Sequence, residues 1–198
     1  MEPTKKTIKN MQSYSDRESK VHFRALQLVK DNSRVLSAGC GPGREMKKLI
    51  EKNCDAVGID IRDAMINESK KIAPNGKYIL GSILEYQISD RERERERFDY
   101  ILCLWNTINR FKKEDKKKFI KISYDNLKDN GILIITTKHK FSSFRIFLKS
   151  FQNKFENIYY YNPKEIKEWF EKTGFKYKII KEDLGNLLII AEKRKKEI

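Results

Sequence analysis

The sequence predicts an α/β protein: a doubly wound, mostly parallel sheet of seven strands with helices on both faces and a C-terminal antiparallel hairpin. Three observations predict it. Short apolar runs alternate with stretches of helical period from Ser15 to Thr137, as in a chain of βαβ units. One such unit, residues 34–60, joins two strands through a glycine turn and a helix and ends on an acid. The last two apolar runs, 175–181 and 187–192, are separated by a short turn at Gly185-Asn186 and therefore pair antiparallel.

Taken in order, residues 1–12 are polar and expected to be loose. A helix follows, capped by Ser15 or Asp16, with Val21, Ala25, Leu28 and Val29 at helical spacing. Strand one is 34–38. The helix over 44–53 turns Met46, Leu49 and Ile50 to one face, and strand two is 55–60. A helix opens at Arg62, Pro74-Asn75-Gly76 is a turn, and strand three is 77–80. The run 91–97 alternates Arg and Glu, can bury nothing, and reads as a solvated loop or helix extension. Strand four, 98–104, is continuously apolar, as a parallel strand buried on both faces requires. A Lys-rich helix spans 112–127 with Phe119, Ile122 and Leu127 inward. Asp129-Asn130-Gly131 is a turn, and strand five is 132–137. Residues 138–162 hold a basic, amphipathic stretch, read as a helix on the core or a substrate lid. Asn162-Pro163 then starts a helix that Gly174 stops. At 198 residues the chain reads as one domain, 1–198.

The unit 34–60 is the most specific stretch. Gly39, Gly41 and Gly43 allow a tight turn that a ligand can press against. The following helix aims its free N–H groups at that ligand. Asp60 lies about twenty residues on, where such folds place an acid on a ribose hydroxyl. The pattern is Gly-x-Gly-x-Gly. With Arg44 and Glu45 next in line, it is not the spacing of a dinucleotide fingerprint, which argues against a nicotinamide-dependent oxidoreductase.

Val35-Leu36-Ser37-Ala38-Gly39-Cys40-Gly41-Pro42-Gly43, followed by Val57-Gly58-Ile59-Asp60, resembles the class I S-adenosylmethionine-dependent methyltransferases, Rossmann-like and seven-stranded. The resemblance covers nearly the whole chain as a pattern, and is specific over 34–66. It implies S-adenosylmethionine as cofactor, with Ala38, Gly39, Cys40, Gly41 and Gly43 at its methionine end and Asp60 on the ribose. It puts Ile61, Ser82 and Ile83 at the adenine, and Leu104 and Trp105 beside the methionyl group. It further implies Asn106, Thr107 and Arg110 for orienting a substrate, His139 as a base, and an N-terminal helix that brings Tyr14 and His22 towards the pocket. Ser37 and Ser82 depart from the family, which usually carries acids there. The segment after strand four lacks the Asp/Asn-Pro-Pro-Tyr/Phe of enzymes that methylate exocyclic amines of bases or glutamine side chains.

Charge bears on the partner. The net formal charge is +15; residues 1–90 carry +4 and residues 91–198 carry +11. A basic second half admits RNA as a substrate, but interleaved Lys and Glu also describe a solvated surface. Cys40, Cys54 and Cys103 have no metal-binding spacing, and no run is long and apolar enough to span a bilayer, so a cytoplasmic setting is expected. No nucleophile elbow, Walker lysine or metal-binding histidine pair is present. The leading expectation is metal-independent methyl transfer to an O or N atom of a small molecule. The alternatives are an RNA methyltransferase and a non-catalytic S-adenosylmethionine-binding regulatory protein.

Overall fold

The computed structural model describes residues 16–88, 97–138, 163–182 and 185–194, with the backbone alone for 16–19. The loose N-terminus with Tyr14, most of the charged run, the lid stretch with His139, and the Asn162 cap lie outside the described residues.

The described elements follow the alternation read from the sequence. They are α1 (Asp16–Gln27), β1 (Arg34–Ala38), α2 (Arg44–Glu51), β2 (Asp55–Asp60), α3 (Asp63–Ile72), β3 (Lys77–Leu80), β4 (Phe98–Cys103), α4 (Lys113–Asn126), β5 (Leu127–Lys138), α5 (Pro163–Phe170), β6 (Phe175–Lys181) and β7 (Asn186–Lys193). Short 3₁₀ turns span Ile83–Glu85 and Thr107–Arg110. One seven-stranded sheet runs in the order β3-β2-β1-β4-β5-β7-β6. Strands β1 to β5 pair in parallel, and β7 pairs antiparallel with both β5 and β6. The order reverses between β1 and β4, so the C-terminal ends of those strands open a crevice where ligands bind in such sheets.

Side-chain alternation along the strands feeds two cores. Leu36, Val57, Ile59, Ile101, Cys103, Leu133 and Ile135 pack towards Phe119 and Ile120 of α4 and Ile166, Trp169 and Phe170 of α5. Their neighbours Val35, Ala56, Leu102 and Ile134 pack the other way, towards Val21 and Ala25 of α1, Met46 and Leu49 of α2, and Ile66 of α3. Both faces of the central strands are thus covered, which is why β4 is apolar throughout except at Asp99 near its start, which pairs with Lys128.

Four local expectations are corrected. On α1 the face is completed by Leu26, while Leu28 is exposed. On α4 the inward residue is Ile120, and Ile122 is only half-buried. Asp129-Asn130-Gly131 does not separate α4 from strand five, because β5 already begins at Leu127. The β4–β5 register shifts between Phe98 and Tyr100, and Asn130 takes a left-handed φ of 62° there. Helix α5 ends at Phe170 rather than near Thr173, and the chain turns through Lys172 (φ 61°) and Gly174 (φ 80°).

Lys193 closes the end of α4. Its buried ammonium donates to the carbonyls of Tyr124 and Leu127, at 2.9 and 2.8 Å, and lies 4.8 Å from the Tyr124 ring centroid. These carbonyls belong to the helix C-terminus, where a cation is favoured. Lys193→Met leaves them unpaired, and should cost about 1–3 kcal/mol in urea denaturation. Arg24→Ala, at the more exposed bidentate pair with Glu182, should cost about 0–1 kcal/mol.

Candidate active site

The site starts where β1 runs out. Gly39 (φ 74°), Gly41 (φ 52°) and Gly43 (φ 91°) all take left-handed backbone angles, which a side chain disfavours. The turn they make is fastened to β2. The amides of Gly39 and Cys40 both donate to the Ile59 carbonyl, at 2.8 and 3.0 Å, and the Gly41 amide donates to Asp60 Oδ2 at 3.0 Å. Asp60 Oδ1 accepts from the backbone N–H of Arg62 at 3.0 Å and from its Nε at 3.3 Å. Three of the carboxylate's roughly four lone-pair sites are thus taken, and Oδ2 keeps capacity for one more donor.

The glycines have different duties. A Cβ on Gly39 would lie 2.4 Å from Thr107 Cγ2, so Thr107 packs hard against the turn. A Cβ on Gly41 would meet nothing within 4 Å: the turn is open there, and a ligand can rest on bare backbone. Cys40 points its buried thiol down at Gly58 and Met46, and burial raises its pKa, so it offers the crevice backbone rather than a thiolate.

At the tips of β2 and β3, Ile61 is 70% exposed and Leu80, paired with Asp60 in register, is 55% exposed. They form an apolar rim beside the acid. Ser82 instead spends its hydroxyl accepting from the Leu84 amide, and the Ile83 side chain packs into the core. Of the residues expected at the adenine, Ile61 is thus exposed and Ile83 is buried, and exposed Leu80 is not among them.

Beyond β4, Leu104 is buried, and Trp105 (φ 55°) and Asn106 (φ 60°) are consecutive left-handed residues. A bulky residue in that region is strained, and it is held there by its contacts. The Trp105 amide donates to His22 Nδ1 at 3.2 Å, and its indole Nε1 donates to Glu45 Oε2 at 3.0 Å. The His22 ring stacks on it with centroids 3.9 Å apart, and the Arg44 guanidinium lies 4.5 Å from its centroid. Thr137 Oγ1 donates to Asn109 Oδ1 at 2.7 Å and ties the following 3₁₀ turn to β5. Asn106 Oδ1 is buried with no hydrogen-bond partner among the described residues, and Arg110 is exposed. Asp60, the glycine turn, Trp105, Asn106 and Thr107 thus share one end of the sheet.

Two buried titratable groups brace this wall. A backbone amide only donates, so His22 Nδ1 is an acceptor, and Thr136 Oγ1, 3.0 Å away, donates to it as well. Burial first, then the charges of Arg44 and Lys138, lower the His22 pKa to about 3, and the ring is neutral. Glu45, 1% exposed, accepts from Ser37 Oγ at 2.8 Å through its other oxygen, and burial raises its pKa to about 7. The helix pattern held a signal for both: Glu45 sits four residues before Leu49, and His22 four before Leu26, each on a buried face.

Among the described residues no group of three or more His, Cys, Asp and Glu side chains is placed to hold a metal ion. None of the described helices is long and apolar enough to cross a membrane.

A glycine turn tied to an acid, facing an apolar rim and an aromatic wall at the strand tips, defines a ligand-binding α/β domain. Residues 11–178 match the family model described as a methyltransferase domain, and the chain belongs to that family. It is 31% identical over 107 residues to a glycine/sarcosine N-methyltransferase of Aphanothece halophytica, a match covering 54% of this chain and 40% of that protein. The chain therefore spans less than half the length of this relative. A solved protein from Pyrococcus horikoshii OT3 superposes with a TM-score of 0.73 at 18% identity, covering 97% of this chain and 100% of that one. Magnesium protoporphyrin IX methyltransferase from Synechocystis PCC 6803, solved with bound S-adenosylhomocysteine, gives 0.69 at 17% identity, covering 90% and 83%.

Gly39→Ala should cost about 2–4 kcal/mol in urea denaturation, from a forbidden φ and a clash with Thr107. Gly41→Ala, with space for its methyl, should cost about 1 kcal/mol. His22, with its pKa below the unfolded value, contributes stability that is complete above about pH 6.5 and is lost as pH falls towards 3. Glu45, with its pKa raised, acts in the opposite sense: its burial costs most above pH 7 and least below 4.5. His22→Gln should therefore shrink the loss of denaturant midpoint on acidification from pH 6.5 to 4, and an unchanged profile would contradict the burial argument.

Proposed function

We propose that the protein is an S-adenosylmethionine-dependent methyltransferase that moves the methyl group to a nitrogen or oxygen atom of a small molecule by direct displacement. The observation that carries this reading is the open backbone at Gly41 beside the Asp60 carboxylate. Asp60 Oδ2 has a lone pair left for one ribose hydroxyl, and Oδ1 would take the second in exchange for the long bond from Arg62 Nε. Ile61 and Leu80 offer the adenine an apolar rim, and Ser82 begins the turn beside it. The backbone of 39–43 receives the amino-acid end, and Leu104 and Trp105 wall the reacting centre.

When bound, S-adenosylmethionine supplies a methyl group on a sulfonium that leaves as a neutral thioether. The protein then needs mainly to align the acceptor and keep water out. Asn106 Oδ1, buried and unpartnered among the described residues, is suited to take an N–H from an incoming amine. The relative named for glycine and sarcosine acts on small amines, which supports a nitrogen acceptor of similar size. Exposed Arg110 suits an anionic substrate group at the mouth of the crevice.

The test is incubation with methyl-labelled S-adenosylmethionine and separate panels of small amines, alcohols and RNA. Label should enter a small amine, and Asp60→Asn, which keeps an acceptor for the Gly41 amide but loses the charge, should raise the cofactor KM about tenfold. Label entering RNA with salt-sensitive binding would replace the small-molecule reading. Tight cofactor binding with transfer to nothing in a cell extract would point to a regulatory role.

A further inference from the structure

Glu45 is a carboxylate with no evident reason to be buried. Both side-chain hydrogen bonds to it come from neutral donors, the Ser37 hydroxyl and the Trp105 indole. Even with the Arg44 charge near it, burial outweighs every favourable interaction on this carboxylate, and such a group is retained where something compensates. Its position narrows what that is. Ser37 is the second-last residue of β1, Glu45 lies in the first turn of α2, and the glycine turn connects them. The carboxylate is therefore folded back over the strand end from which the turn springs, and the indole bond sets it against the Trp105 wall. The carboxylate thus lies behind the glycine turn, at the same end of the sheet as Trp105.

We propose that Glu45 binds the ammonium group at the amino-acid end of the cofactor, so that α2 supplies the anion that Ser37 of β1 does not. This rests on the cofactor assignment made above. The ligand is a cation at two points, its sulfonium and its ammonium. A carboxylate that accepts one side-chain hydrogen bond on each oxygen keeps lone pairs for such a partner. Ser37 spends its hydroxyl orienting Glu45, and Trp105 fixes the second oxygen, so the anion is placed before the ligand arrives. The charge that acts on Glu45 is Arg44, beside it on α2; Cys40, Cys103 and Tyr78, which feel the carboxylate, are held protonated by burial, and the His22 ring is neutral. Burial lifts the Glu45 pKa to about 7, and a cation at hydrogen-bond distance would favour the ionised form.

A rival account gives Glu45 the task of holding Trp105 and nothing more. Two ligands separate the accounts. S-Adenosylhomocysteine carries the ammonium; 5′-methylthioadenosine has the same adenosine and thioether and lacks the amino-acid end. Calorimetric titration of the full chain at pH 7.5 should show Glu45→Gln losing about 10- to 100-fold affinity for S-adenosylhomocysteine. Affinity for 5′-methylthioadenosine should stay within about twofold, which also shows the variant folded. Adding Ser37→Asp to Glu45→Gln should restore much of the lost affinity, because the charge returns from the strand side. Equal loss for both ligands, or none for either, overturns the proposal and leaves the cofactor assignment standing. Failure of the unaltered chain to bind either ligand overturns both.

Discussion

The hydrogen bond from the Gly41 amide to the Asp60 carboxylate sets the shape of the crevice. It joins the turn after β1 to the tip of β2, the neighbouring strand in register. A backbone amide bound to a carboxylate is stronger than one bound to a neutral acceptor. With both Gly39 and Cys40 on the Ile59 carbonyl, the turn has little freedom left. The direction of α2 is then determined, and with it the places of Arg44, Glu45 and Met46. One acid thereby shapes the turn while keeping a lone pair at the crevice.

The opposite wall is built under strain. Two left-handed residues in succession, one of them a tryptophan, cost free energy that local propensity does not return. His22, Glu45 and Arg44 hold Trp105 in that conformation from α1 and α2. This cluster couples three elements that are far apart in sequence, and His22 and Glu45 are both buried with hydrogen bonds to Trp105, so losing that side chain exposes them to the cost of desolvation. Rigidity at the crevice is obtained from a polar side-chain network, whereas the side chains of the sheet below it pack mainly through apolar contacts.

Much of this was legible in the residues. The short apolar runs of β1, β2 and β4, the glycine turn with its acid, and the closing antiparallel pair each derive from local rules, and the sheet order agrees with them. The boundaries that moved did so where tertiary pairing overrides local signals: β5 runs on through Asp129-Asn130-Gly131 because β4 offers it a partner on both sides of the register shift. The site was legible on its backbone side and obscure on its side-chain side. Gly39, Gly41 and Asp60 announce themselves by spacing. Ile83 has the right position in the chain for the rim, yet the 3₁₀ turn rotates it into the core and leaves Leu80 exposed. Glu45 has the look of the polar flank of an amphipathic helix. Its spacing from Leu49 puts it on the buried face, and the fold of α2 back onto Ser37 shows what it bonds there.

If the turn at Gly41 and the acid at Asp60 together receive an adenosyl ligand, a crystal structure of the chain with S-adenosylhomocysteine will show it most directly. Both ribose hydroxyls should lie on the Asp60 carboxylate, with the thioether chain crossing the bare backbone at Gly41 towards Trp105. A ligand seated elsewhere, or a turn that closes over Gly41 and shuts the ligand out, would contradict that assignment.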